Sequence, residues 1–313
     1  MSTTDDIRTT PTPKSRQDYR DARTTIAHRL LKSSSNRSYD PIIDIDYDAP
    51  LVDGKYFLPP AVVTLHGTDV WDAMTGEQRI ELSRQEMANI LSVGIWFENL
   101  LNRALLIRLM RADPAAATTH YSLTEMGDEC RHMTMFGKAI ETSGARAYGM
   151  RRWERGAMHV LPIVMRGTLM WVITLVGEEL FDAIQRQVRN DPDLQPMVAQ
   201  LMQIHVTEEA RHIGFARDAI VRRRPIRSRF ETVVAANLHG LAAPVFRRLF
   251  TNPEMYRRAG FDDPAAIARI ARRNPEFHNV QVDSFEPLST FLEKNGLMGP
   301  LARRMWRRSG FLR

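Results

Sequence analysis

Cysteine is almost missing from this sequence. Cys130 stands alone among 313 residues, so no intrachain disulfide can form, and the expected compartment is the reducing cytoplasm. Long apolar runs are missing too. No stretch approaches the roughly 20 uninterrupted apolar residues of a membrane helix, so no transmembrane segment is expected. The most apolar region, residues 160–176, is broken by Arg166 and runs into Glu178 and Glu179, as a buried core helix does. The N-terminus lacks the basic-then-apolar order of a signal peptide. Lysine is scarce, since 38 of the 43 basic residues are arginine. A net charge of +6 without a recognition motif argues against a nucleic-acid partner. Part of the excess lies at Arg303, Arg304, Arg307, Arg308 and Arg313, with no acid nearby in sequence. This reads as a solvated basic end, with docking to an acidic partner protein or an anionic surface as the alternative.

What is present is mostly helical pattern. Residues 1–40 are polar and read as a flexible N-terminal arm with a short helix near residues 22–31. Residues 41–68 hold short β-branched pieces and Pro59-Pro60, and are expected to wrap the outside of a bundle. Four long helices follow. The first spans about 76–111 and stops at Asp113-Pro114; the second spans about 122–143 and ends at Gly144. The third covers about 163–189. The fourth opens at Asp191-Pro192, as a cap and first-turn proline, and ends before Arg224-Pro225. Shorter helices are expected near 226–250, 264–273, 285–295 and 299–308. No sheet of any size is indicated. The class is all-α: a single helical domain over 41–313, with its bundle at about 75–225 and additional helices over 226–313.

Both halves of the four-helix region carry one arrangement. Glu98 precedes Glu129-Cys130-Arg131-His132 by 31 residues, and Glu178 precedes Glu209-Ala210-Arg211-His212 by the same 31. The pairs 98/178, 129/209 and 132/212 all share an offset of 80. That repeat selects Glu178 over Glu179, because Phe97-Glu98 aligns with Gly177-Glu178. Residues three apart in a helix lie about 4.5 Å apart along the axis and on nearly one face. Glu-x-x-His can therefore aim a carboxylate and an imidazole at one point. Two such helices, with one inward Glu from each of two others, build the di-iron carboxylate site of a ferritin-like four-helix bundle. Carboxylates balance two hard cations, while imidazole favours iron or manganese over calcium or magnesium. A single Glu-x-x-His is a weak signal; two copies with identically spaced partners are a strong one. The alternative, recurrent surface residues, has to explain apolar neighbours such as Ile95, Leu101, Leu105, Leu175 and Phe181. Unpaired carboxylates among them would need compensation by metal or proton.

The motifs extend outward. Asp128 and Glu208 stand just before the two Glu-x-x-His pairs, where each can accept the second N–H of a histidine on the opposing helix. Arg131 and Arg211 can pair with those acids. One position breaks the repeat: His205 lies four residues before Glu209 and seven before His212, and its counterpart is Glu125. A third imidazole on this stripe makes a seventh protein ligand, bound to one metal, or else a hydrogen-bond partner of a ligand carboxylate.

Glu98, Glu129, His132, Glu178, His205, Glu209 and His212 together resemble the p-aminobenzoate N-oxygenase (AurF-type) family of di-iron proteins. The match covers about residues 75–225 and is specific at the metal site, with the His205 stripe as its most distinguishing part. The resemblance implies two iron ions held by those seven residues, with manganese as a substitute, and O2 as co-substrate. It further implies oxidation of an aromatic amine through hydroxylamine and nitroso stages toward a nitro product. An external electron donor is implied as well, and a homodimer or an acidic carrier protein are candidate partners. The family's substrate-anchoring arginine cannot be matched to one arginine of this chain, which leaves the substrate class open.

Rival readings keep the metal but change the chemistry. A ribonucleotide-reductase small subunit needs a tyrosine four residues after the first ligand histidine, and Phe136 stands there. A desaturase or hydroxylase acting on an acyl or carrier-bound substrate shares the acid-Glu-x-Arg-His pattern but does not require His205. A ferritin-like iron-binding protein is usually much shorter. Gly94, one turn before Glu98, offers either room for substrate or close helix packing. Cys130 reads as a small packing residue, since its counterpart is Ala210 and no base activates it.

Overall fold

The computed structural model describes residues 15–313. Among them the fold is all-α, and the only β feature is an isolated bridge between Tyr56 and Leu194. The helices are α1 (Arg16–Asn36), α2 (Asp69–Asp72), α3 (Gly76–Leu109), α4 (Ala117–Thr142), α5 (Arg152–Val164), α6 (Gly167–Val188), α7 (Pro196–Arg223), α8 (Arg229–Leu238), α9 (Ala242–Phe250), α10 (Pro253–Arg258), α11 (Pro264–Ala271), α12 (Pro275–Lys294) and α13 (Pro300–Arg308). α3 packs on α4 and α6 on α7, and the two pairs meet chiefly through α4 and α7.

The bundle is layered along its axis. On α3, Leu82–Leu91 belong to one apolar cluster and Val93–Leu105 to another. On α7, Met197–Ile204 lie in the first and Phe215–Ile220 in the second, with residues 205–212 between them. α4 runs through the same layers in reverse, from Ala117 and Tyr121 to Met135–Ile140. On α4 and α7 a band of buried Glu, Asp and His thus lies between the two apolar clusters, while Glu98 of α3 and Glu178 of α6 reach it from within the second cluster. α3 is the one helix among the described residues long and apolar enough to cross a membrane by composition, and half of that window is buried within the bundle.

Several sequence expectations need correction. Of the expected flexible arm, residues 1–14 lie outside the described residues, while α1 is a 21-residue helix docked on α4 and α7. Ser15 and Asp18 close a capping box at its start. Ile26, Ala27 and Leu30 are buried, and the Arg23 guanidinium reaches Asp218 at 2.9 Å and the Phe215 carbonyl at 2.8 Å. The expected third helix begins at Gly167, and α5 before it was not expected; the two are separate because the chain is extended at Met165 and Arg166 and takes φ +58° at Gly167. The fourth starts at Pro196, not at Asp191-Pro192. Tyr56 pairs with the backbone of Asp193 and Gln195 there, tying the 45–74 strap to the bundle before α7 begins. α12 starts ten residues earlier than expected and continues through Pro287, carried by buried Phe285, Leu288 and Leu292. At the basic end, Arg303 pairs with Glu293 at 2.8 Å and Arg313 with Asp283 at 3.8 Å.

Candidate metal centre

Each predicted site residue stands on one of the four core helices: Glu98 on α3, Glu129 and His132 on α4, Glu178 on α6, and His205, Glu209 and His212 on α7. All seven are buried. Two groups converge, each with its donor atoms within 4.8 Å of one another: Glu98, His132 and His205 in one, Glu129, Glu209 and His212 in the other. Within them His132 Nδ1 lies 3.4 Å from both Glu129 Oε2 and Glu209 Oε1. His212 Nδ1 lies 3.0 Å from Glu129 Oε1, and His205 Nε2 lies 3.5 Å from both Glu98 Oε1 and Glu209 Oε1. Glu178 joins neither group of three but lines the same cavity. Its neighbour Glu179 is engaged instead by the Arg217 guanidinium.

The far side of each imidazole is tied. His132 Nε2 donates to Glu208 Oε2 at 2.9 Å, and His212 Nε2 donates to Asp128 Oδ2 at 3.2 Å. Each acid therefore orients the histidine of the opposing helix, as the sequence suggested. Arg211 bridges Asp128 and Glu208 at 3.1 and 3.3 Å, and Arg131 adds a second cation on Asp128. For His205 the tie is Gln185 of α6, whose Oε1 accepts from Nδ1 at 2.9 Å. Sequence reasoning missed Gln185. The signal was available, since its counterpart 80 residues earlier is Leu105 and so departs from the repeat together with His205.

Whether these residues suit metal ions is answered by the atoms left over. Among buried side-chain atoms without a hydrogen-bond partner are Glu98 Oε2, both oxygens of Glu129 and Glu178, Glu209 Oε2, and Nδ1 of His132 and His212. Such atoms normally find partners or carry a large desolvation cost. Apart from those of Glu178, which lines the same cavity, they belong to residues of the two converging groups, and four carboxylates with two imidazoles are the donor set of ferritin-like di-iron sites. Electrostatics agrees. Burial, then the charges of neighbouring carboxylates, pushes Glu98 and Glu178 well above the usual carboxylate range. Burial opposes charge on His132 and His212 as well, yet the carboxylates around them hold both far above the usual imidazole value. Protons on imidazole thus take the place of positive charge that the site demands. His205 differs: burial lowers it to about 4, so it is a neutral imidazole with its Nε2 lone pair turned to Glu98 and Glu209. Glu125, its counterpart, is buried and pushed up to about 8 by desolvation.

Beside the ligands lies a cavity of about 30 Å³, lined among others by Phe97, Phe136, Phe181 and His205. Gly94 lines this cavity and also lets Phe136 pack close, because a Cβ at Gly94 would stand 2.8 Å from Cε2 of Phe136. Gly177 does the same for Phe97, whose Cζ would lie 1.8 Å from an added Cβ. Cys130 is exposed, which corrects the expectation of a packing role. With Glu129 and His132 turned inward, the position between them faces out of the helix.

Comparison with known proteins agrees with this geometry. Uncharacterized proteins of Mycobacterium tuberculosis and Mycobacterium bovis are each 30% identical over 292 residues, covering 89% of this chain and 84% of the relative. The family model described as P-aminobenzoate N-oxygenase AurF matches residues 20–296, and the chain therefore belongs to the p-aminobenzoate N-oxygenase AurF family.

Proposed function

We propose that the protein is a non-haem di-iron oxygenase acting on the nitrogen of an aromatic amine, with Glu98, Glu129, His132, Glu178, His205, Glu209 and His212 as metal ligands. The observation that carries this reading is the convergence of buried carboxylates and imidazoles, many of whose inner atoms make no hydrogen bond. Two bound irons, or manganese in part, supply the redox chemistry that activates dioxygen toward an electron-rich atom. The protein's own residues do the positioning. Asp128, Glu208 and Gln185 fix three imidazoles by their outer nitrogens, so that each inner nitrogen keeps one direction. Arg211 and Arg131 offset the charge of the two acids. Phe97, Phe136 and Phe181 close the chamber to bulk water. An external donor has to deliver electrons.

Metal analysis tests the reading directly. Protein grown with iron should hold two iron ions per chain, and Ala at Glu129, His132, Glu209 or His212 should lower that content sharply. The reduced protein with O2 should convert an arylamine to an oxidised-nitrogen product. Metal-free protein whose variants behave like the parent would remove the proposal. Consumption of a fatty acyl carrier in place of arylamines would replace N-oxygenation with desaturation.

A further inference from the structure

Phe97 is the one residue shared by the linings of two neighbouring cavities. The inner one, beside the candidate metal ligands, measures about 30 Å³. The outer one lies between α3, α5, α6 and the 238–249 segment and measures about 360 Å³. For scale, a cavity needs about 10–15 Å³ of such space to hold a water molecule, and an apolar cavity of about 150 Å³ holds benzene. The inner chamber thus has room for dioxygen or water and none for an arene. The outer pocket has room for a substituted ring. A ring in the outer pocket reaches the ligands only when Phe97 turns aside.

The outer lining also carries chemical information. It is built from side chains such as Trp96, Leu161, Ile173, Val176 and Phe246, and no lysine or arginine lines either cavity. Its two titratable groups are committed elsewhere. Glu154 pairs with Arg248 and accepts from the Arg151 backbone at 2.5 Å. His239 donates through Nε2 to the Leu297 carbonyl and accepts the Trp306 indole N–H at Nδ1, each at 3.1 Å. A carboxylate entering this pocket would lose its water and meet no free cation.

We infer that the outer pocket is the substrate vestibule, that Phe97 is its inner gate, and that the substrate is an uncharged amine on an apolar ring and not a carboxylate-bearing one such as p-aminobenzoate. The word amine rests on the oxygenase reading above; the apolar, uncharged character rests on the pocket alone. Trp153 and Leu241, 55% and 54% exposed, stand at the mouth, where apolar side chains left in water are explained by a ligand that covers them.

The test separates binding from turnover. Whole iron-loaded protein without oxygen is titrated with 4-butylaniline and with p-aminobenzoate, followed by calorimetry and by quenching of tryptophan fluorescence. The uncharged amine should bind about tenfold more tightly or better, given the cost of burying an unpaired charge. Ala157→Trp, at an exposed position of α5 that lines the pocket, should weaken that binding while leaving iron content unchanged. Phe97→Leu and Phe97→Ala should speed iron removal by uncharged bipyridine several-fold, with little change for a sulfonated chelator. Equal binding of the two amines, or indifference to Ala157→Trp, overturns the vestibule. Unchanged bipyridine kinetics in both Phe97 variants overturns the gate. Iron-loaded protein that ignores butylaniline sinks this inference and spares the metal reading, whereas protein that binds butylaniline but holds no iron does the reverse.

Discussion

Gly177→Ala sets two opposite effects against each other at the contact between the halves of the bundle. In the interior of a helix Ala is favoured over Gly by about 0.8–1.0 kcal/mol, so propensity alone makes the change stabilising. Packing opposes it. The new Cβ would lie 1.8, 2.0 and 2.3 Å from three Phe97 ring carbons, where about 3.5 Å is the normal carbon separation. The ring has to move by more than about 1.5 Å, and overpacking of this kind costs about 1–3 kcal/mol. The net change in the parent should therefore be destabilising, by up to about 2 kcal/mol. With Phe97→Ala the obstacle is gone, and Gly177→Ala should stabilise by about 1 kcal/mol. The cycle gives a coupling of about 1–3 kcal/mol, read from urea midpoints of the metal-stripped protein so that metal affinity does not enter. A Gly177→Ala variant stabilised equally in both backgrounds would refute the contact and, with it, the account of what holds Phe97 in place.

Other outcomes follow from the same geometry. His205→Ala should keep much of its iron, since six ligands remain, yet lose most turnover; Glu125→Ala should do less to activity. A fully active His205→Ala enzyme would demote that histidine to packing. Arg23→Met leaves Asp218 with Arg222 alone and should cost about 1.5–3 kcal/mol, as for a lost hydrogen bond to a charged group; a urea midpoint that does not move would mean that α1 docks without it. His239, with a folded value near 4 against 6.5, makes stability fall with acid. The unfolded chain takes the proton first, so its contribution is complete above pH 6.5 and declines as pH drops through 4. The loss amounts to about 3 kcal/mol, and His239→Gln should flatten that slope in pH-dependent melts.

The cluster of buried carboxylates and imidazoles was legible because its spacing is local. Three residues along a helix fix one face, and the 80-residue repeat carries that local rule to the second half, so Glu98, Glu129, His132 and their counterparts could be named from covalent distance alone. Asp128 and Glu208 followed because a neighbour in sequence becomes a neighbour of the opposing histidine once α4 and α7 cross. What stayed hidden depends on contacts between elements. The docking of α1 rests on Arg23 meeting Asp218, 195 residues away. The start of α7 is set by Tyr56 bonding the backbone at Asp193 and Gln195. Periodicity carries neither fact. Cys130 was misread because its type suggested burial, while its helical position between two inward ligands dictated exposure.

Three departures from the repeat come in matched pairs. His205 replaces Glu125 only where Gln185 replaces Leu105, so that the new imidazole gains a partner for its outer nitrogen. Phe136 stands where the second half has Ala216, and Gly94 stands where it has Thr174; the large ring and the missing side chain fit each other. Phe97 and Gly177 are counterparts of one another and pack across the pseudo-symmetric boundary. His205, Gln185, Gly94, Phe136, Phe97 and Gly177 all line the inner cavity. Of the residues that obey the repeat, the four glutamates line it too, and His132 and His212 do not. A symmetric bundle suffices to gather two metal ions, but a reaction has to approach them from one side. The paired exceptions all line the inner cavity, so the reaction proposed above is expected to reach the ligands from the side where the repeat breaks.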